Sequence, residues 1–220
     1  MTKVKICGIT NLADASAAVE AGADLLGFNF YPPSPRSISP EKCVEITSSI
    51  TSKFPATCLI GVFVNMPVEQ IKFIMDTCSL DYAQLHGDET PETLESLQGK
   101  AYKAFRGIPH SKILNQFTLK GIGNTPAFLI DASVQGLYGG SGVTADWQSA
   151  AQLARKYPGN PGTCTGMLLA GGLNPENVAA AVEKVKPWGV DTASGVESAP
   201  GRKDAQKMKA FIEAVRAASS

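Results

Sequence analysis

The sequence predicts a (β/α)8 barrel, a single catalytic domain over residues 1–220, and three observations predict it. Eight short apolar runs recur along the chain. Each is followed by a glycine- or proline-marked turn, and segments of helical period fill the intervals, which is the pattern of βα units around a parallel sheet. Several of the runs are almost continuously apolar, as strands covered on both faces should be. With 220 residues and 44% hydrophobic content, the chain can build one sizeable core and lies in the size range of one such barrel.

Taken in order, the strands are expected at VKIC (4–7), DLLGFNF (24–30), CLIGVFV (58–64), YAQLH (82–86), AYKAF (101–105), AFLID (127–131), MLLAG (167–171) and WGVDTA (188–193). In the first helical interval Leu12, Ala15 and Val19 share a face, and in the third Val68, Ile71, Met75 and Cys78 do. The last interval is the clearest, with Met208, Phe211, Ile212 and Val215 at i, i+3, i+4 and i+7. Ser39, Thr90 and Asn174 each precede a proline and read as N-caps with proline at the first helical position. The fifth unit is the weakest: Lys103 interrupts its strand, and His110 to Phe117 allows about two turns of helix. YPGNPGTCTG (157–166) has the composition of a linker, but it joins one helix to one strand within the alternation and is expected to be an enlarged loop.

Composition excludes several classes. Twenty basic and twenty acidic side chains cancel without forming blocks, so there is no footprint for nucleic acid or an anionic membrane surface. Five cysteines, at 7, 43, 58, 78 and 164, form no C-x-x-C pair in a chain too large to need disulfide staples; reduced thiols and a cytoplasmic location are expected. Met1 leads directly into the first strand, with no targeting segment expected, and no apolar run approaches the ~20 residues of a membrane helix. No G-x-x-x-x-G-K-[ST] loop is present, the GGSG at 139–142 lacks the spacing of a dinucleotide fingerprint, and two distant histidines with scattered cysteines offer no metal set. The expectation is an enzyme without cofactor or metal acting on a phosphorylated small molecule. Zero formal charge is compatible with a monomer or a homodimer.

A barrel of this kind carries its chemistry where the strands end at their carboxyl side. Here those ends are Cys7, Asn29, Asn65, His86, Arg106, Asp131, the Gly171-Gly172 pair and, after the last strand, the Ser194-Gly195 pair. The two glycine-bearing turns follow strands seven and eight, where bare backbone N–H groups can approach a phosphate and a short extra helix would assist; ordinary turn glycines are the plain alternative. Cys7 is either a small core residue or, as a thiolate, a base able to take a proton from carbon. The second role requires its pKa to be pulled below ~8.5 by nearby positive charge or N–H donors. Asp131 closes an apolar strand and is either a loop-gripping aspartate or a general acid, which would need burial and a facing thiolate to raise its pKa above ~3.9. Arg36 sits in the proline-restricted YPPSPRS, a frame suited to holding a guanidinium against a carboxylate or phosphate. His86 and Asp191 can line the same mouth, though packing explains either nearly as well.

The segments VKICGIT (4–10), GFNFYPPSPRSI (27–38), GVFVN (61–65), QLHGDE (84–89), LIDA (129–132), GGSGVTADW (139–147), LAGGLNPENV (169–178) and GVDTASGVESAPGRKD (189–204) resemble, in the same order, those of the phosphoribosylanthranilate isomerase family. The resemblance runs from about Lys3 to the final helix. It implies a (β/α)8 barrel of tryptophan biosynthesis that performs an Amadori rearrangement of N-(5-phospho-β-D-ribosyl)anthranilate without metal or coenzyme. It also implies Cys7 as general base, Asp131 as general acid, Arg36 on the anthranilate moiety, and the turns after strands seven and eight as the phosphate site. Three positions depart from the family pattern: Ala193 stands where a serine is common, Ala145 where an aromatic is, and Val143 where a lysine is, leaving open the source of positive potential near Cys7. The related sugar isomerase of histidine biosynthesis resembles a two-aspartate site, whereas this first strand ends in cysteine. A ligand-binding barrel without activity would lack the acid-base pair.

Overall fold

The computed structural model describes residues 1–117, 126–131, 146–157 and 166–219. Its eight barrel strands are β1 (Lys3–Cys7), β2 (Leu25–Asn29), β3 (Cys58–Phe63), β4 (Tyr82–Leu85), β5 (Ala101–Arg106), β6 (Phe128–Asp131), β7 (Met167–Ala170) and β8 (Gly189–Thr192). All pair in parallel with their sequence neighbours, and β8 pairs with β1 to close the barrel. The register sets Cys7 beside Gly27 and Arg106 beside Asp131 at the carboxyl rim.

The helices are α1 (Leu12–Glu20), α2 (Pro40–Lys53), α3 (Val68–Thr77), α4 (Pro91–Ser96), α5 (Ser111–Phe117), α6 (Trp147–Lys156), α7 (Val178–Val185) and α8 (Ala205–Ala218). Ser39 and Thr90 cap α2 and α4 through their side chains, as the proline signals predict. Asn174 does not cap a helix at Pro175. Its side chain instead accepts from the amides of Glu176 and Asn177, making a turn that delays α7 to Val178. The apolar face of α8 is buried as predicted, and in α3 Ile71, Met75 and Cys78 are buried as well. In α1 the buried residues are Ala15 and Ala18, while Leu12 is 41% exposed, so the predicted face is rotated by about a residue.

Strand alternation divides the apolar residues into two cores. Val4, Ile6, Leu26, Phe28, Phe128, Ile130, Leu169 and Val190 face outward into the helix layer, where full burial of each side chain contributes about 1.5–3 kcal/mol. Leu25, Ile60, Tyr102, Ala104, Leu129 and Leu168 fill the interior. A short hairpin, β9 (Glu197–Ala199) with β10 (Arg202–Lys203), follows β8. Gly201 turns it with φ +78°, Thr10 donates to the Gly201 carbonyl at 2.8 Å, and Asp14 accepts from the Lys203 amide, so the hairpin is fastened beside the loop after β1.

Candidate active site

A cavity of about 320 Å³ opens where the strands end, and nearly all the residues singled out in the sequence line it. Cys7 and Asp131 enter from β1 and β6, Arg36 from the loop after β2, and His86 and Asp191 from the ends of β4 and β8. Gly171, Gly172 and Ser194 form the wall after β7 and β8. Gly195 is not in the lining. A Cβ there would collide with the Leu173 carbonyl, so close packing accounts for its missing side chain. Gly171 and Gly172 have φ of +102° and +66°, a left-handed backbone that favours glycine, and no atom lies within 4 Å of where a Gly172 side chain would start. The short extra helix expected here is one 3-10 turn, Ser194–Val196. Asn65 is drawn away from the cavity, its amide donating to Glu89 and its side chain accepting from the Asp88 amide. Val143, Ala145, Cys164, the GGSG at 139–142 and most of the 157–166 loop lie outside the described residues.

Below the cavity floor lies a polar network that the apolar pattern of the strands hid. Lys5 is fully buried; its Nζ donates to Asp191 Oδ1 at 2.8 Å and to Gln84 Oε1 at 3.0 Å. Tyr102 also donates to Gln84 Oε1, at 2.8 Å. Two donors on that oxygen fix the amide so that its Nε2 faces His86 Nδ1 at 3.1 Å, which leaves the imidazole proton on Nε2. Burial holds the His86 pKa below the usual histidine value, against the opposing charge of Asp131, so the ring is neutral near pH 7. For Lys5, burial alone would lower the pKa, but the Asp191 carboxylate overrides it and keeps the ammonium above the ordinary lysine range.

The Cys7 thiol is shifted upward, against the direction that the base role requires. Burial is the largest influence, and the Asp191 carboxylate adds to it; Lys5 and then Lys203 pull the other way. Near neutral pH the sulfur therefore carries its proton, and the positive potential beside it comes from Lys5 and Lys203. The signal that could have revealed Lys5 is strand alternation. Lys5 and Cys7 are two apart and so share the inner face of β1, as Tyr82, Gln84 and His86 share that of β4.

Arg36 is held as the proline-restricted loop suggests, but by a partner the sequence reading missed. Its Nε and one terminal nitrogen donate to the two carboxylate oxygens of Glu197, each at 2.7 Å, and Lys203 Nζ donates to the same carboxylate at 2.8 Å. Burial opposes ionisation of Glu197, but the two cations prevail and hold its carboxyl below the usual range. Gly8, at φ +77°, leaves room for the Arg36 side chain, whose Cδ would lie 2.6 Å from a Cβ placed there.

This arrangement offers a thiol from β1 and a carboxyl from β6 in one cavity, a fixed guanidinium, and a bare-backbone wall after β7 and β8. A profile of the N-(5'-phosphoribosyl)anthranilate (PRA) isomerase family matches residues 4–214. The chain belongs to the PRA isomerase family. Among curated relatives, the N-(5'-phosphoribosyl)anthranilate isomerase of Magnetococcus marinus is 44% identical over 216 residues, 98% of this chain and 96% of that one. That of Pelobacter propionicus is 44% identical over 212 residues, covering 96% and 94%. The crystal structure of the Thermotoga maritima PRA isomerase superposes with a TM-score of 0.83 at 37% identity, covering 99% of this chain and 100% of that one. Another PRA isomerase structure, in complex with reduced 1-(o-carboxyphenylamino)-1-deoxyribulose 5-phosphate, superposes at 0.78 with 36% identity and coverage of 99% and 100%.

Proposed function

We propose that this PRA isomerase works by proton transfer between Asp131, its substrate and Cys7. The reaction is the Amadori rearrangement of N-(5-phospho-β-D-ribosyl)anthranilate to 1-(2-carboxyphenylamino)-1-deoxy-D-ribulose 5-phosphate, in tryptophan biosynthesis. In the proposed course, Asp131 gives a proton to the furanose ring oxygen; the bond from that oxygen to C1' breaks and the nitrogen lone pair closes a Schiff base. Cys7 first yields its thiol proton to solvent and then, as the thiolate, removes the C2' proton; the electron pair moves into C1'–C2', and the nitrogen regains its lone pair. The resulting enolamine tautomerises to the ketone.

The observation that carries this reading is that Cys7 and Asp131 line one cavity from β1 and β6. The raised Cys7 pKa opposes this step, and a cationic Schiff base over the sulfur offsets it by favouring the thiolate when the C2' proton must leave. The turns of Gly171, Gly172 and Ser194 take the phosphate, with Gly195 packed against Leu173. Arg36 meets the anthranilate carboxylate with its remaining N–H groups, and His86 presents Nε2–H toward the sugar hydroxyls. Asp191 reaches the same cavity while fixing Lys5, and one phosphorylated sugar amine fills the site without a cofactor. Among the described residues no helix is long and apolar enough to cross a membrane, and Cys7, Cys43 and Cys78 are free thiols, which supports a reducing, cytoplasmic setting.

The test is turnover of phosphoribosylanthranilate followed by the loss of its fluorescence. Cys7→Ser and Asp131→Asn should each lower kcat by about 10²- to 10⁴-fold with KM little changed, the range expected for a lost general acid or base. Near-normal turnover in either variant removes that residue from the scheme.

A further inference from the structure

We propose that Lys5 is the positioning residue for proton abstraction: its ammonium, set between Asp191, Gln84 and the Cys7 sulfur, holds the negative charge that the sulfur acquires. The inference rests on the reading of Cys7 as the base. Lys5 lies two residues before Cys7 on the inner face of β1, fully buried, with one carboxylate partner at 2.8 Å and one neutral amide oxygen at 3.0 Å. An ammonium has three donors; two of them meet these oxygens, and the charge acts at close range on the Cys7 sulfur. A Cβ built on Gly27 would lie 2.8 Å from Cys7 Sγ and 3.1 Å from Lys5 Nζ, so the glycine of the neighbouring strand leaves the space the two groups share.

Other charges surround the sulfur. Asp191 from β8 opposes its ionisation, while Lys203 from β10 and Arg36 from the loop after β2 favour it. Glu197 from β9 joins those last two cations in one ion-pair cluster. Tyr102 on β5 is held neutral by burial, and His86 and Asp131 line the same cavity as the sulfur. Lys203 is engaged by Glu197 at 2.8 Å and the Ala193 carbonyl at 3.0 Å and acts on the sulfur more weakly than Lys5 does. Gln84 matters because it is neutral: a second carboxylate in its place would cancel the remaining field of Lys5 at the sulfur.

A residue that merely fills the barrel would support stability without setting the thiol's ionisation, and the two roles separate on one measurement. Alkylation of Cys7 by iodoacetamide, read from the mass of the Cys7 peptide between about pH 7 and pH 12, reports thiolate formation whether or not the sulfur is the base. Lys5→Met should move the midpoint up by at least about one pH unit, which is about tenfold less thiolate near neutrality. Its kcat should fall about tenfold, with KM within about twofold and part of the loss recovered at higher pH. Asp191→Asn should move the midpoint the opposite way. Lys103→Met, which alters a buried lysine outside the cavity, should leave it in place.

If Lys5→Met does not accumulate as folded protein, the double variant Lys5→Met/Asp191→Asn removes both charges, and its midpoint should lie above that of Asp191→Asn alone. An unchanged midpoint in the Lys5 variant, or an equal rise in Lys103→Met, overturns the proposal. Full turnover by Cys7→Ser would instead defeat the reading of Cys7 as base, and the alkylation midpoints would still show whether Lys5 controls the sulfur.

Discussion

Lys5 and Lys103 are both strand lysines, both buried, and both paired with a carboxylate, at 2.8 Å to Asp191 and 3.0 Å to Glu89. They differ in which way the strand points them. Lys5 faces the barrel interior, where its other hydrogen-bond partner is a side-chain amide and the Cys7 sulfur lies beside it. Lys103 faces the helix layer, where its Nζ also donates to the carbonyls of Leu85, Gly87 and Ala104. Glu89 in turn accepts from the amides of Asn65 and Gly87, so this pair ties the loops after β3 and β4 to β5. One buried ammonium is saturated by a carboxylate and three backbone carbonyls away from the cavity, and the other has a thiol that lines the cavity beside it. A buried lysine is structural or functional according to what its remaining donors meet.

The largest effect expected from this contrast is on stability at Lys103. Lys103→Met leaves Glu89 buried without its cation and should cost about 3–5 kcal/mol, read as a fall in urea midpoint, while the folded enzyme keeps its kcat. A loss of kcat matching that of Lys5→Met would erase the distinction between the two sites.

Glu197→Gln comes next. It loosens both Arg36 and Lys203, so KM for the anthranilate substrate should rise about tenfold, as expected for a charge-assisted bidentate pair weakened by about 1.4 kcal/mol. The same variant sharpens the acid limb. The Glu197 carboxyl is depressed in the folded protein, so its contribution to stability is present above about pH 4.3 and disappears as the pH falls through the folded value. The stability gap between wild type and Glu197→Gln should therefore close on acidification; a gap that stays constant with pH would mean that the Glu197 charge contributes nothing.

The remaining effects belong to the glycine turns, the smallest of them at Gly172. Gly195→Ala must displace the Leu173 carbonyl and should cost about 1–3 kcal/mol in thermal unfolding. Gly172→Ala has open space but a φ of +66°, so about 1 kcal/mol is expected, with the greater change in KM because that backbone faces the cavity. The reverse order of stability losses would show that backbone conformation outweighs packing at these turns.

Much of this was legible in the chain itself. The eight runs set the number of strands, and their ends named Cys7, His86, Asp131 and the Gly171-Gly172 turn, because a parallel barrel sends every strand end to one mouth. The helix faces were less secure where alanines carry them, as in α1, since Ala15 and Ala18 give too little contrast to fix the rotation. The start of α7 was misplaced because an asparagine before a proline satisfies a tight turn as well as a helix cap.

The sequence by itself determined the alternation of strand and helix, and with it which side chains arrive at the barrel mouth, since period and turn chemistry are local properties. Only the tertiary structure decided the partners: Lys5 with Asp191, 186 residues apart, and Arg36 with Glu197, 161 apart. An ion pair depends on where two distant strands or loops meet, and barrel closure, not the chain near either residue, brings them together.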